Sequence, residues 1–294
     1  MKFWIIAKKE ILDITRDRRT MLMMTLLPFL LVPVLLGTIM KIDSSQREKA
    51  SERHIKICFL GKYIVVPENE TCIIVGAGSG LSASLARLFK TERMAVVLAA
   101  RNIEKLADLS KEIDCELIQC DASNVEQVRN LFAKTDEICS KPSIVIYNPS
   151  ARLRGDITSL DPYKTKIAIE TTCYGAFLVA QQAARRMIPL GSGSIFFTGA
   201  SAGVKGFPNS SVFAMGKFGL RGLAQSLARE LQPKNIHVAH FVIDGGISSK
   251  MCPDDGEDKL LDPDEIAKTY LNLHRQSRSA WSWEIELRPW VERF

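Results

Sequence analysis

Three glycines stand between an apolar segment and an amphipathic segment in the stretch TCIIVGAGSGLSASLARLFK. The apolar segment has the composition of a buried strand, and the second segment has helical periodicity. Gly76, Gly78 and Gly80 allow positive backbone angles and a close approach of the chain to a pyrophosphate. The amides at the start of the following helix attract the same anion. Together with Ser79 and Leu81, the turn therefore predicts a dinucleotide-binding site.

The next strand segment, MAVVLAA, ends at Arg101 and has no acidic residue at its tip. An acidic residue at this place would hold the ribose 2′-hydroxyl of NAD, whereas an arginine suits the 2′-phosphate of NADP. We therefore expect NADP or NADPH as the cofactor, in preference to NAD. The alternative is that Arg101 is a solvated side chain where a helix begins, with Asn102 as the N-cap of that helix.

The rest of the chain alternates strand segments with helical segments. Five further strands are predicted, in the stretches CELIQ, SIVIY, SIFFT, IHVAHFV and WEIEL, and long helices over residues 167–187 and 211–231. Ser123 is the predicted N-cap of one helix, and Asp262, followed by Pro263, is that of another. About seven strands alternating with helices predict an α/β fold, a doubly wound parallel sheet of the Rossmann type with its ligand at the carboxyl ends of the strands.

Residues 21–40, MLMMTLLPFLLVPVLLGTIM, contain no charged side chain and have the length of a membrane-spanning helix. Pro28 and Pro33 would break a helix in water, but membrane helices tolerate proline. The apolar run is long for a secretory signal, and no small-residue cleavage site follows it. A buried apolar hairpin is the other alternative. The sequence predicts one membrane helix before the Rossmann domain, but nearly equal numbers of basic residues on its two sides leave its orientation open.

The charge pattern divides the chain at the same place. Residues 1–63 carry 12 Lys and Arg against 6 Asp and Glu, and the remaining 231 residues carry 27 of each. We therefore expect a basic membrane segment over 1–63 and the Rossmann domain over 64–294. A domain with balanced charge gives no reason to expect nucleic acid as a partner. The seven cysteines are scattered, and His237 and His240 would lie on opposite faces of a strand, so no metal site is predicted.

The order of these motifs resembles that of the short-chain dehydrogenase/reductase family over about residues 70–294. The glycine turn is similar to the family's Thr-Gly-x-x-x-Gly-x-Gly, with Val75 in place of the threonine and Ser82 in place of the last glycine. The stretch YNPS keeps Asn148 of the family's Asn-Asn-Ala-Gly, and DGGISS stands where the family has Pro-Gly and a following threonine. The closing stretch SAWSWEIELRPW is similar to a less common branch of the family.

The resemblance implies further cofactor contacts. Asp121 falls at the aspartate that contacts the adenine in the family, with Ala122 beside it. Asn148 and Gly245 fall in the cofactor motifs, and Ile247 would face the nicotinamide carboxamide. A small carbonyl or alcohol compound is the substrate that the resemblance implies, and a homodimer or homotetramer is the assembly.

The same alignment shows a departure from the family at its catalytic residues. The spacing in FFTGASAGVKGFPNSSVFAMGK places Ala200 at the family's serine, Phe213 at its tyrosine and Lys217 at its lysine, while Thr172 stands at its asparagine. In the family the tyrosine donates the proton, and the lysine lowers the pKa of the tyrosine and binds the nicotinamide ribose. Phe213 cannot donate a proton, and the loss of a general acid costs about 100- to 10,000-fold in rate. Lys217 keeps its role in binding the ribose.

Two functions follow. The first is an NADP-dependent oxidoreductase that transfers a hydride to or from a carbonyl or alcohol and takes its proton from water, the substrate or another side chain. Ser201, Ser211, Tyr147 and Cys173 are candidate substitutes, each more often structural than catalytic. The alternative is an inactive dinucleotide-binding protein with a regulatory or scaffolding use. Residues 250–261, KMCPDDGEDKLL, occupy the substrate-loop position, and their acidic composition disfavours a large anionic substrate.

Residues 1–63 are similar to the N-terminal membrane span of an ABC-type exporter permease subunit, and that resemblance stops there. No further spans and no nucleotide-binding cassette follow in this sequence. The span implies a membrane-anchored protein. The supply of cofactor favours a cytoplasmic catalytic domain, whereas the resemblance to a permease subunit implies the opposite orientation. The alternative is a cytoplasmic enzyme to which an unrelated segment has been fused.

Overall fold

The computed structural model describes residues 70–249 and 252–292. The chain divides into two units, residues 1–65 and 66–294, and the description concerns the second. The predicted membrane helix and the permease-like segment lie outside the described residues. Within the described residues, no helix is both long and apolar enough to cross a membrane.

The sheet has seven parallel strands in the order β3-β2-β1-β4-β5-β6-β7, which confirms the predicted doubly wound architecture. All seven strand segments that the sequence indicated form strands. Their bounds are β1 Thr71–Val75, β2 Ala95–Ala100, β3 Glu116–Gln119, β4 Ile144–Tyr147, β5 Ser194–Thr198, β6 His237–Ile243 and β7 Glu284–Leu287. The strand order reverses between β1 and β4, so their carboxyl ends open a crevice in which such sheets bind their ligands.

Helices cover both faces of the sheet, because alternate residues of each strand point to opposite sides. Ile73 and Val75 of β1 pack with the core on one face, and Cys72 and Ile74 pack with the core on the other. The helices are α1 Leu81–Thr91, α2 Ala107–Ile113, α3 Val125–Ile138, α4 Pro162–Ile169, α5 Gly175–Leu190, α6 Ser211–Leu231 and α7 Pro263–His274. Helices α3, α5 and α6 cover the first face, and α1, α2 and α7 cover the second.

Two local predictions require correction. The helix predicted over 167–187 is interrupted by a π-helical turn, Glu170–Tyr174, which separates α4 from α5. Asn124, and not Ser123, is the N-cap of α3, since its side chain accepts hydrogen bonds from the amides of Glu126 and Gln127. The hydroxyl of Ser123 instead donates to the carboxylate of Asp121 at 2.7 Å. The hydrogen bond to Asp121 thus replaces the capping bond that the local sequence pattern predicted for Ser123.

Candidate active site

The glycine turn lies at the carboxyl end of β1, and its conformation depends on glycine at one position above all. Gly76 has φ +77°, and a Cβ there would lie 2.6 Å from the ring of Pro149. The amides of Gly76 and Ala77 donate to the carbonyl oxygen of Ala99, at 2.8 and 3.0 Å, and so hold the turn against β2. These contacts fix the direction in which the chain leaves the strand and enters α1.

Beyond Gly76 the turn borders empty space. Apart from the adjoining residues, no atom of the described part of the chain lies within 4 Å of the place where a Cβ on Gly78 or Gly80 would stand. Helix α1 begins directly after Gly80 with no acidic residue in its first turn and no side-chain cap. The start of α1 therefore presents backbone amides and the positive end of its dipole to this space, as a diphosphate site requires.

The serine that departs from the glycine pattern has a role in joining two elements. The side-chain amide of Asn148 donates to the hydroxyl of Ser82 at 2.7 Å, and the backbone amide of Asn148 donates to the carbonyl oxygen of Val75 at 3.0 Å. The end of β4 is thereby tied both to β1 and to the first turn of α1. The hydroxyl of Ser82 thus links α1 to the end of β4 beside the crevice, a bond that the family's glycine could not make.

One cavity of about 1130 Å³ runs from this turn to α6. It joins the predicted cofactor residues at the glycine turn to the segment that carries the family's catalytic positions. Among the predicted site residues, those that line it are Gly76, Gly78, Gly80, Leu81, Asn148, Ala200, Phe213, Lys217, Gly245 and Ile247. The residues that do not line it are Ser79, Arg101, Asp121, Ala122 and Thr172.

Arg101 and Asp121 lie at the neighbouring ends of β2 and β3. Arg101 is exposed, and its carbonyl oxygen accepts a hydrogen bond from the side chain of Gln119 at 3.0 Å. Burial opposes ionisation of Asp121, but hydrogen bonds from Ser123 and the charge of Arg101 prevail, so the pKa of Asp121 is lowered. Ala122 is buried, and its carbonyl oxygen would lie 2.8 Å from a Cβ on Gly175. This part of the structure therefore places a cation and a carboxylate beyond the end of the glycine turn.

Lys217 is a buried lysine at the other end of the cavity. It is 2% exposed, and its Nζ donates a hydrogen bond to the carbonyl oxygen of Thr198 at 2.7 Å. Burial, and after it the charge of Arg152, lowers the pKa of Lys217 to about 7. The side chain is therefore able to gain and lose a proton near neutral pH.

The other three family positions hold side chains that cannot transfer a proton to a substrate in this cavity. Ala200 and Phe213 form a small apolar cluster with Ala202. Thr172 lies in the π-helical turn, is 1% exposed, and its hydroxyl accepts a hydrogen bond from the amide of Ala151 at 3.1 Å. Its role is to anchor the loop that follows β4.

The candidate substitutes for the missing acid are mostly occupied or remote. The hydroxyl of Tyr147 donates to the carbonyl oxygen of Thr171, and burial raises its pKa. Cys173 packs against Gly219, and burial raises the pKa of its thiol. Neither residue lines the cavity, and neither does Ser211.

Ser201 lines the cavity and lies beside the carboxylate of Asp244. Asp244 is 1% exposed and also contacts Lys205 and Arg288, each at 3.2 Å. Burial opposes ionisation of Asp244, but the neighbouring Ser201, Lys205 and Arg288 prevail and lower its pKa. Asp244 therefore remains a carboxylate paired with Lys205 and Arg288, and among the candidate substitutes Ser201 is the one that lines the cavity.

Two arginines in the cavity wall were missed by the sequence analysis. The guanidinium carbon of Arg152 lies 4.7 Å from the centroid of the Phe213 ring, and Arg154 lines the same cavity. Nζ of Lys217 lies 5.9 Å from the same ring. The two arginines of the stretch ARLR were visible in the sequence. No short-range sequence pattern, however, indicated that the loop which carries them contacts α6.

Comparison with known proteins agrees with the geometry. Residues 70–259 match the family model described as short chain dehydrogenase. A short-chain dehydrogenase structure from Rhodopseudomonas palustris is 35% identical, with a TM-score of 0.68, over 76% of this chain and all of that chain. An uncharacterized oxidoreductase of Staphylococcus aureus is 26% identical over 232 residues, which are 77% of this chain and all of that protein. A metagenomic short-chain oxidoreductase solved in complex with NADP has 22% identity and a TM-score of 0.66, over 76% and 98% of the two chains. The chain therefore belongs to the short chain dehydrogenase family.

Proposed function

We propose that this family member is an NADP-dependent oxidoreductase that transfers a hydride between the nicotinamide and a carbonyl or alcohol compound. The observation that carries the proposal is the single cavity that joins an unobstructed glycine turn to a buried lysine. A turn that binds a diphosphate and a cation that binds a ribose are the two contacts that hold such a cofactor in an extended form.

The residues of the cavity fit this group. The amides of Gly78, Ser79, Gly80 and Leu81 would bind the diphosphate, because the space beside the two glycines is open. Lys217 would bind the nicotinamide ribose from the opposite end.

The two ends of the cofactor would meet different residues. Arg101 would bind the 2′-phosphate, and Asp121 with Ala122 would contact the adenine. Asn148, Gly245 and Ile247 would enclose the nicotinamide. The exposed guanidinium of Arg101, at the end of β2, supports NADP over NAD.

Lys217 is also the residue that would supply the proton in this chain. When bound, the reduced nicotinamide would supply a hydride for the carbonyl carbon of the substrate. The carbonyl oxygen then takes a proton from the ammonium of Lys217, which becomes a neutral amine and recovers its proton from solvent. A pKa of about 7 suits this exchange, since a general acid is most effective when its pKa lies near the working pH.

Replacement of Lys217 by arginine and by methionine separates its two roles. Arginine retains the positive charge for the ribose but cannot release a proton at neutral pH, whereas methionine loses both. We expect the arginine variant to bind NADPH but to reduce substrates at least about 100-fold more slowly. Equal rates in the arginine variant and the wild type would exclude Lys217 as the proton donor.

The function itself is tested with the full chain. NADPH should raise the melting temperature more than NADH does, since a ligand that binds the folded state stabilises it by mass action. Oxidation of NADPH should then be followed by absorbance over a panel of aldehydes and ketones, with the matching alcohols and NADP for the reverse reaction. Binding without turnover on the whole panel would identify an inactive dinucleotide-binding protein instead.

We also propose that the protein forms a homo-oligomer and that its N-terminal segment anchors it to a membrane. Exposed apolar side chains on α5, α6 and the π-helical turn support a homodimer or homotetramer, and they include Tyr174, Phe177, Met215 and Phe218. The apolar run at 21–40 supports a membrane anchor for the cytoplasmic domain. Recovery of the chain with the membrane fraction, and its release when residues 1–63 are removed, is the test of that anchor.

A further inference from the structure

The part of the cavity beyond the glycine turn carries an excess of positive charge. Arg152, Arg154 and Lys217 line it, and among the described residues that do so Glu292 is the sole carboxylate. Elsewhere among the described residues, arginines that lie at the surface of the sheet and helices are often paired with a carboxylate, for example Arg221 with Glu284. Within the described ranges, none of the three cations of the cavity forms an ion pair with a carboxylate.

Arg152 and Lys217 both lie close to the ring of Phe213, and no carboxylate of the described residues lies between the two charged groups. The guanidinium lies 4.7 Å and the ammonium 5.9 Å from the centroid of Phe213. Their repulsion is one of the causes that lower the pKa of Lys217. An anion between them would relieve that repulsion, because it would be attracted by both charges.

Phe213 holds the guanidinium in place through a cation–π contact. The planar guanidinium presents parallel N–H donors, which match the two oxygens of a carboxylate or of a phosphate. The residue that occupies the family's tyrosine position thus positions a cation at the substrate end of the cavity. We propose that the substrate carries an anionic group, a carboxylate or a phosphate, and that Arg152 binds it above the ring of Phe213, with Arg154 beside it.

The described part of the acidic loop, residues 252–261, does not face the cavity, although its composition predicted that a large anionic substrate would be disfavoured. The carboxylate of Asp254 accepts hydrogen bonds from the amides of Gly256, Asp258 and Leu260. Asp255 and Glu257 pair with Lys259. No residue of the described segment 252–261 lines the cavity, so the acidity of this loop is used within the loop itself. The acidic composition of this loop therefore does not disfavour an anionic substrate in the cavity.

The site is separate from the phosphate contacts expected of the cofactor. The diphosphate would lie on the glycine turn, and the 2′-phosphate would lie at Arg101, which does not line this cavity. Arg152 follows β4 in the loop anchored by Thr172, on the side of α6. This inference rests on the proposed function for its reaction, but the binding of an anion can be measured without any turnover.

The test compares Arg152→Gln with Arg229→Gln in the full chain. Arg229 is an exposed arginine in the last turn of α6 and does not line the cavity, so its variant is the matched control. Matched substrate pairs differ in one charge: pyruvate and methyl pyruvate, then dihydroxyacetone phosphate and dihydroxyacetone. We expect kcat/KM to be about 10- to 100-fold higher for the anionic member of one pair, as for a hydrogen bond to a charged group. The pair that shows the preference identifies carboxylate or phosphate.

Arg152→Gln should abolish this preference, so that the two members of the pair have equal kcat/KM, and Arg229→Gln should retain it. Equal kcat/KM within both pairs in the wild type, or equal preferences in the two variants, would overturn the proposal.

If no compound is turned over, the proposed function fails, and melting temperatures measured with malonate and with inorganic phosphate, with and without NADPH, decide the inference alone. An increase in the wild type and in Arg229→Gln that is absent in Arg152→Gln supports the anion site. No increase in the wild type overturns it.

Discussion

Lys217 is buried in a place where its charge is costly, and this cost should be visible in the stability of the protein. The residue is 2% exposed, and its Nζ donates one hydrogen bond, to the carbonyl oxygen of Thr198. Replacement by methionine keeps most of the side-chain volume and removes the charge. We therefore predict that Lys217→Met unfolds at higher denaturant concentration than the wild type in neutral and mildly acidic solution.

The magnitude follows from the pKa of Lys217, which burial and the charge of Arg152 lower from 10.5 to about 7. Between these two values the unfolded chain binds a proton that the folded protein has released, so the free energy of unfolding rises with pH across this window. The contribution is about 1.4 kcal/mol for each pH unit. The total cost below about pH 7 is on the order of 5 kcal/mol, reduced in practice by local relaxation.

Above about pH 10 the order of the two proteins should reverse. Methionine cannot donate to the carbonyl oxygen of Thr198, and an unsatisfied buried acceptor costs about 1 to 3 kcal/mol. The wild type then has a neutral amine that still makes this bond. The difference between the two proteins, plotted against pH, should therefore fall steadily and change sign.

The assay is urea denaturation followed by tryptophan fluorescence, at a series of pH values from about 6 to about 11. Lys164→Met is the control, because Lys164 is exposed on α4 and its replacement should leave the pH dependence of the wild type unchanged. Taking the difference between wild type and variant removes the effect of every other titrating group. If the free energies of unfolding of Lys217→Met and the wild type depend on pH in the same way, Lys217 does not carry a costly buried charge. Its proposed role as the proton donor would then be refuted as well.

Three further predictions concern the site and its surroundings. Phe213→Tyr should raise the rate of carbonyl reduction by less than about 100-fold, because Lys217 already supplies the proton that a phenol would donate; a larger gain in the NADPH assay would mean that Lys217 is not an effective acid in the wild type. Gly78→Asp should abolish the increase in melting temperature caused by NADPH but preserve the fold, because no described atom beyond the adjoining residues lies within 4 Å of the new Cβ; retained NADPH binding would place the diphosphate elsewhere. Phe218→Glu should convert the assembly to monomers in light scattering, because Phe218 is 45% exposed on α6; an unchanged mass would remove α6 from the interface.

The sequence by itself determined those features that arise from short-range patterns. The seven strands could be predicted because short segments of four to seven residues, either apolar or with polar residues among the apolar ones, lie between turn residues, and each of these segments forms a strand of the sheet. The turn at Gly76 was evident from its glycines, and its conformation, with φ +77°, is one that a side chain would strain. Asp262 and Pro263 were sufficient to start α7, because capping depends on neighbouring amides.

Only the tertiary structure decided the character of the candidate active site. Arg152 and Phe213 are far apart in sequence, and their contact arises because the loop after β4 and the start of α6 meet at the carboxyl edge of the sheet. Ser123 lost its predicted role as a cap because Asp121 is within reach of its hydroxyl. The low pKa of Lys217 follows from burial and from a distant charge. Charge, burial and contact depend on positions in space, and a linear pattern records only which residues are available to occupy them.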